Sequence, residues 1–164
     1  MPLVGLLLHI IHNHGFFSMR GADPLLGINI LVFLSEFNQN WAKNAGALVF
    51  LLSNSLMIPP GSPSPVPSRT HSFDTGAAWL AFALQGTKLG WYTHGMAGFD
   101  MDRAVLELKV PTTHNVEIAI AVGKIGDKLH LPGFLQSLET PNERKALTDI
   151  SFEGHFPESL IKQN

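Results

Sequence analysis

Between Asp74 and Lys88 the chain carries no charged side chain and no proline. Ser72-Phe73-Asp74-Thr75 has the form of a helix start, with an acid in the first turn where the helix dipole favours it. The pattern runs on to Leu89, and Gly90 is the residue type that closes a helix in the left-handed conformation. The interior is mostly Ala, Gly, Leu and Phe with Trp79, so the helix is apolar around its whole circumference. Such a helix needs cover on every side. Gly76, Ala77, Ala78, Ala81, Ala83 and Gly86 are small enough to let another backbone come close. A chain of 164 residues makes one ordinary domain and cannot wrap this helix completely. The sequence therefore points to a subunit interface along it.

Charge and cysteine content remove several function classes. Eleven Lys+Arg against 13 Asp+Glu leave a formal net charge of −2, with no basic cluster to meet nucleic-acid phosphates. The absence of Cys excludes disulfides, thiolate metal sites and a Cys nucleophile. Charged residues make up 15% and hydrophobic residues 45%, so a buried core is expected and a charged disordered tail is not. The apolar run Leu3 to Ile11 lacks a positive flank and is too short to cross a bilayer. No Asn-x-Ser/Thr acceptor occurs. A soluble, cytoplasmic protein without a membrane or nucleic-acid partner is expected.

Other elements can be placed around the long helix. Asp23-Pro24 is a cap followed by Pro at the first helical position, which predicts a helix over 24–39. Ala47 to Ser53 reads as a buried strand, ended by the proline-rich stretch 58–70, a surface loop. Asp100 caps a short helix ending near Leu108. Val116, Ile118, Ile120 and Val122 alternate with Glu117, Ala119 and Ala121 in a strand. From Gly123 to about Arg144 the chain reads as loop, and Leu147 to Phe152 as a last extended piece.

Few side-chain constellations suggest chemistry. His9-x-x-His12-x-His14 resembles metal spacing, but no carboxylate or thiol accompanies it, and incidental histidines account for it better. Asp74 beside His71 and Ser72 evokes a hydrolase triad. There is no nucleophile elbow, however, and Asp74 is explained as a first-turn acid. Phosphate-loop and GxGxxG patterns are absent. No metal site and no catalytic side chain are assigned.

Three segments in series carry a family resemblance. They are Trp41-Ala42-Lys43-Asn44-Ala45 leading into the strand, His71-Ser72-Phe73-Asp74-Thr75-Gly76-Ala77-Ala78-Trp79, and His94-Gly95-Met96-Ala97-Gly98-Phe99-Asp100. Together with the strand ending in Ala-Val-Gly, their order and spacing resemble the FMN-dependent nitroreductase-like family over roughly 24–156. The resemblance implies an α+β fold, a mixed sheet flanked by helices, in an intertwined homodimer with FMN between the subunits. It implies hydride transfer from NADH or NADPH through the flavin to nitro compounds or quinones, a flavoprotein oxidoreductase.

The same resemblance implies the cofactor-binding residues. Main-chain donors at Met96, Ala97 and Gly98 would face the flavin ring. Many relatives have Glu where Ala97 stands, a change that spares the main chain. Arg144 and Lys145 match the basic pair that grips the FMN phosphate, for which charge-assisted bonds suit Arg. The family's amino-terminal Arg-Ser-x-Arg segment and its Ser/Asn-x-Gln-Pro-Trp segment are missing, and Ser35 to Trp41 imitates the second without its Pro. Residues 1–23 are therefore expected to be a divergent or truncated segment, and 24–164 a partial nitroreductase-like domain. Two function classes stay open: the flavin enzyme, and a non-catalytic scaffold with weak or no flavin binding.

Overall fold

A computed structural model describes residues 16–19, 22–23 and 28–158 of the chain. It divides into two units, Met1–Leu131 and Pro132–Asn164. The described part of the first unit runs through strands β1 (Phe16–Met19), β2 (Ala22–Asp23) and β3 (Ile28–Asn29), a 3₁₀ turn at Ile30–Phe33, and helix α1 (Glu36–Ala42). Then come β4 (Ala47–Asn54), β5 (Leu56–Met57), β6 (Val66–Pro67) and the long helix α2 (His71–Lys88). The unit continues with β7 (Tyr92–Met96), α3 (Met101–Glu107), β8 (His114–Gly123) and a 3₁₀ turn at Lys128–His130. The second unit contains α4 (Gly133–Leu138) and a 3₁₀ turn at Leu147–Asp149.

Among the described residues, four strands form the main sheet in the order β1-β4-β8-β7. The α+β class is as expected. The mixed sheet is not seen here: every pairing among the described residues is antiparallel. Both faces of the central strands are covered, which is why β4 reads as an uninterrupted apolar run rather than an alternating one. Val49 and Leu51 pack with Ile120, Val122, Trp79 and Phe82 on the α2 side. Leu48, Phe50 and Leu52 pack on the other side with Phe33, Leu34, Met96 and Ala104. Phe50 is 1% exposed, and Phe50→Ala would cost about 3–5 kcal/mol as a core truncation.

The strict alternation expected along β8 fails at one point. Leu51 pairs with Ile118 but Leu52 pairs with Val116, so Glu117 is an extra, bulged residue. Val116 consequently joins the face of Ala119 and Ala121, while Ile118 and Ile120 join the other.

The helix expected over 24–39 is also corrected. Residues 24–27 lie outside the described residues, Ile28–Asn29 is strand, and the α-helix starts only at Glu36. Local side chains explain the delay. The Asn29 carboxamide oxygen takes the Leu31 N–H at 3.1 Å, and Ser35 Oγ accepts the Asn38 N–H at 3.4 Å as the true N-cap. The histidines at 9, 12 and 14 likewise lie outside the described residues. Part of the segment read as divergent is strand β1, paired with β4 from Phe16↔Leu51 to Met19↔Leu48.

Three smaller readings change. The loop 58–70 contains β6, which pairs with β5 as a short ribbon. The stretch 123–144 holds α4 and a 3₁₀ turn rather than loop alone. The extended piece at 147–152 is instead tightened by Asp149 N–H to Ala146 C=O and Ser151 N–H to Leu147 C=O, each 2.9 Å.

Helix α2 is as long as the sequence suggests, and Gly90 follows it at φ +72°. Its inner face buries Thr75, Phe82 and Gly86. The opposite face is apolar and open in the single chain: Phe73 is 77% exposed, Leu80 59% and Leu84 62%. No helix among the described residues is long and apolar enough to cross a membrane.

Candidate functional site

The loop from Met96 to Asp100 connects the edge strand β7 to the capped helix α3. Met96 ends β7 opposite Ala119 and is buried in the core, 3% exposed. Ala97 and Gly98 are exposed. Neither of their N–H groups donates to another group among the described residues.

What fixes this loop is the start of α1. The Gly98 carbonyl accepts from the Ser35 N–H at 2.9 Å and from Asn38 Nδ2 at 3.0 Å. A Cβ on Gly98 would lie 2.9 Å from Asn38 Nδ2 and 3.0 Å from Ser35 Oγ. Glycine is needed here for close approach, since its φ is not among the positive ones. Downstream, the Asp100 N–H donates to Phe33 C=O at 2.7 Å, and Asp100 Oδ1 caps α3 by accepting from Arg103 N–H at 2.9 Å. The arrangement is a hydrogen-bonded rim bearing two small exposed residues whose amides have no acceptor among the described residues. It can hold a flat, acceptor-rich group by its edge. It offers no nucleophile.

Arg144 and Lys145 belong to the second unit, where both are exposed. The Arg144 guanidinium donates to Asn142 Oδ1. Of the five residues expected to bind cofactor, the structure thus gathers Met96, Ala97 and Gly98 into one loop. The other two are a surface pair in a coil segment.

A second polar group was not assembled by sequence reasoning. His71 and Ser72, the residues that evoked a triad, turn away from Asp74, which instead accepts the Thr70 hydroxyl at 2.9 Å. They meet Glu117 from β8 and the fully buried Ser53 from β4. The signal available in the sequence was Glu117 itself, the one acid in β8, set in the apolar run from Val116 to Val122. No cluster of three or more metal-ligating residues occurs among the described residues.

Helices on both faces of an antiparallel sheet, with an exposed loop after the edge strand, define an α+β domain. No family model matches the sequence. Among solved structures, an oxidoreductase containing FMN is 36% identical with a TM-score of 0.83, over 94% of this chain and 81% of that one. A nitroreductase family protein from Clostridium difficile 630 is 14% identical with a TM-score of 0.61, over 94% and 86%. An FMN-dependent nitroreductase from Clostridium difficile R20291 is 15% identical with a TM-score of 0.54, over 94% and 83%. These last two show likeness of fold alone. The curated relative matched is an uncharacterized 15.4 kDa protein in the ask 5′ region of Mycolicibacterium smegmatis, 29% identical over 94 residues. That match takes in 57% of this chain and 63% of the relative, so the chain spans less than two thirds of its length. The chain belongs to the nitroreductase-like family.

Proposed function

We propose that this protein is an FMN-dependent oxidoreductase that works as a homodimer and passes hydride from NADH or NADPH to nitro compounds or quinones. The observation that carries the reading is the rim at Ala97 and Gly98: two amides with no acceptor among the described residues, in exposed residues too small to obstruct a ring. The 36% identity to an oxidoreductase containing FMN over 94% of this chain supports it. Main-chain donors at Met96, Ala97 and Gly98 would hold the ring edge, and Arg144 with Lys145 the phosphate. Bound FMN would supply the redox chemistry, leaving the protein to bind, orient and shield. That division of labour agrees with a site that has amides but no nucleophile. The open apolar stripe of α2 supports the homodimer, because a second copy would cover Phe73, Leu80 and Leu84.

The scaffold alternative draws on one observation, the bond from Arg144 to Asn142, which takes one donor of the guanidinium expected on the phosphate. A visible spectrum decides between them. Purified protein mixed with FMN and freed of excess should retain the oxidised-flavin absorption, and should oxidise NADH or NADPH when a quinone or nitroarene is added. Colourless protein after this treatment would leave the scaffold reading.

A further inference from the structure

Four polar side chains from three elements meet at the start of α2, and the flavin reading uses none of them. Ser53 comes from β4, Glu117 from the bulge of β8, and His71 and Ser72 from the first turn of α2. Three of their contacts are short. Ser53 Oγ lies 2.5 Å from Glu117 Oε1, Ser72 Oγ 2.8 Å from the same oxygen, and Ser53 Oγ 2.9 Å from His71 Nδ1. The remaining approaches to Nδ1 are longer, 3.3 Å from Ser72 Oγ and 3.5 Å from Glu117 Oε1.

Counting hydrogens settles the direction of the network. Each short contact needs one hydrogen between its heavy atoms, since two facing lone pairs at such a distance repel. The two serines bring one hydroxyl hydrogen each. The third has to sit on Nδ1, because both hydroxyl hydrogens are given to Glu117 Oε1. The imidazole is left to supply it. We infer that His71 carries its hydrogen on Nδ1 and donates to Ser53, that Ser53 donates to Glu117, and that Ser72 donates to the same carboxylate oxygen. This is a directed relay that docks the first turn of α2 onto the bulge of the sheet. His71, Ser53 and Glu117 are positioning residues for that helix.

The helix has reason to need it. Its N-cap residue, Thr70, makes no side-chain bond to the helix amides, its hydroxyl being given to Asp74. The anchor therefore comes from the sheet. Ser53 is 0% exposed, so water cannot replace a lost partner there, and a broken link leaves a buried polar group unsatisfied.

The test uses the full chain. Nitrogen-15 NMR of the imidazoles, with His71 assigned by its loss in His71→Asn, should show the hydrogen on Nδ1. Asn also keeps an N–H donor near the position of Nδ1, whereas His71→Gln moves the amide towards Nε2. Hydrogen exchange at the Asp74 and Thr75 amides should quicken about tenfold in His71→Gln and Ser53→Ala, and stay within about twofold of wild type in His71→Asn. A hydrogen on Nε2 with none on Nδ1 overturns the relay. So does rescue by Gln as complete as by Asn. If Ser53→Ala does not fold, the tautomer of the wild-type protein and the Asn/Gln pair still decide.

Discussion

Gly98 is held by its carbonyl and crowded at its Cα. Valine there would drive a Cβ to 2.9 Å from Asn38 Nδ2 and 3.0 Å from Ser35 Oγ, loosening the bonds that tie the rim to α1. Gly98→Val should therefore destabilise the fold by about 1–3 kcal/mol, as overpacked sites do, read as a lowered melting temperature without any ligand present. It is a poor probe of flavin binding, because fold and site would fail together. Ala97 separates them. Its N–H donates to nothing among the described residues, and Met96 before it is already extended, as a residue preceding proline must be. Ala97→Pro should weaken FMN binding about tenfold in a fluorescence titration, the scale of one lost hydrogen bond, with the melting temperature nearly kept. Ala97→Ser, which keeps the amide, should titrate like wild type. Equal affinities for Pro and Ser would remove the main chain of Ala97 from the site. The same titration tests Arg144: Arg144→Ala should lose about tenfold for FMN and little for riboflavin, which lacks the phosphate. Equal loss for both would assign Arg144 to structure, in keeping with its bond to Asn142.

The elements differ in how plainly the sequence announces them, and the difference has a physical pattern. Where a local signal and a burial signal coincide, the reading holds: β4 as a long apolar run, Gly90 after α2, Asp100 before α3. Where a side chain competes with the backbone, as Asn29 and Ser35 do, an apolar stretch with a good start signal still fails to become one helix. The bulge at Glu117 was illegible for another reason, since register depends on the partner strand and alternation alone cannot reveal an extra residue. The loop at Met96 to Gly98 was legible as a motif, but the packing partner that makes Gly98 necessary lies about sixty residues away in sequence at Asn38. Helix α2 was read as needing cover on all sides, and the single chain leaves its outer stripe bare. Ala81 sits in that stripe, exposed beside Leu80 and Leu84. Ala81→Glu should leave the isolated chain folded but place an unpaired charge in the proposed contact between copies. Light scattering should then report monomer where wild type reports dimer, a destabilisation of several kcal/mol in the assembly. A wild type that is monomeric and fully folded would remove the interface from α2.

Assembly and cofactor binding should be one equilibrium if the flavin is held between two copies, as the family resemblance implies. A ligand that contacts both subunits of a dimer has fewer partners on a monomer, so it binds the dimer more tightly. Linkage then requires that FMN tighten the dimer by the same factor by which dimerisation tightens FMN, typically about 5- to 150-fold. The bare stripe of α2 gives the protein a reason to associate without flavin, so FMN should strengthen an existing association rather than create one. Sedimentation of wild-type protein over a dilution series, with and without saturating FMN, measures this directly. The dissociation constant of the dimer should fall on adding FMN, and riboflavin should produce a smaller change if Arg144 and Lys145 act through the phosphate. Saturation with FMN at about 100 times its dissociation constant should also stabilise the fold by about 2.7 kcal/mol, seen as a raised melting temperature. Stabilisation without any change in dimer affinity would mean that each flavin is bound by one copy alone. The rim at Ala97 and Gly98 would then be a complete site within the chain, and the outer face of α2 would have no part in holding the cofactor.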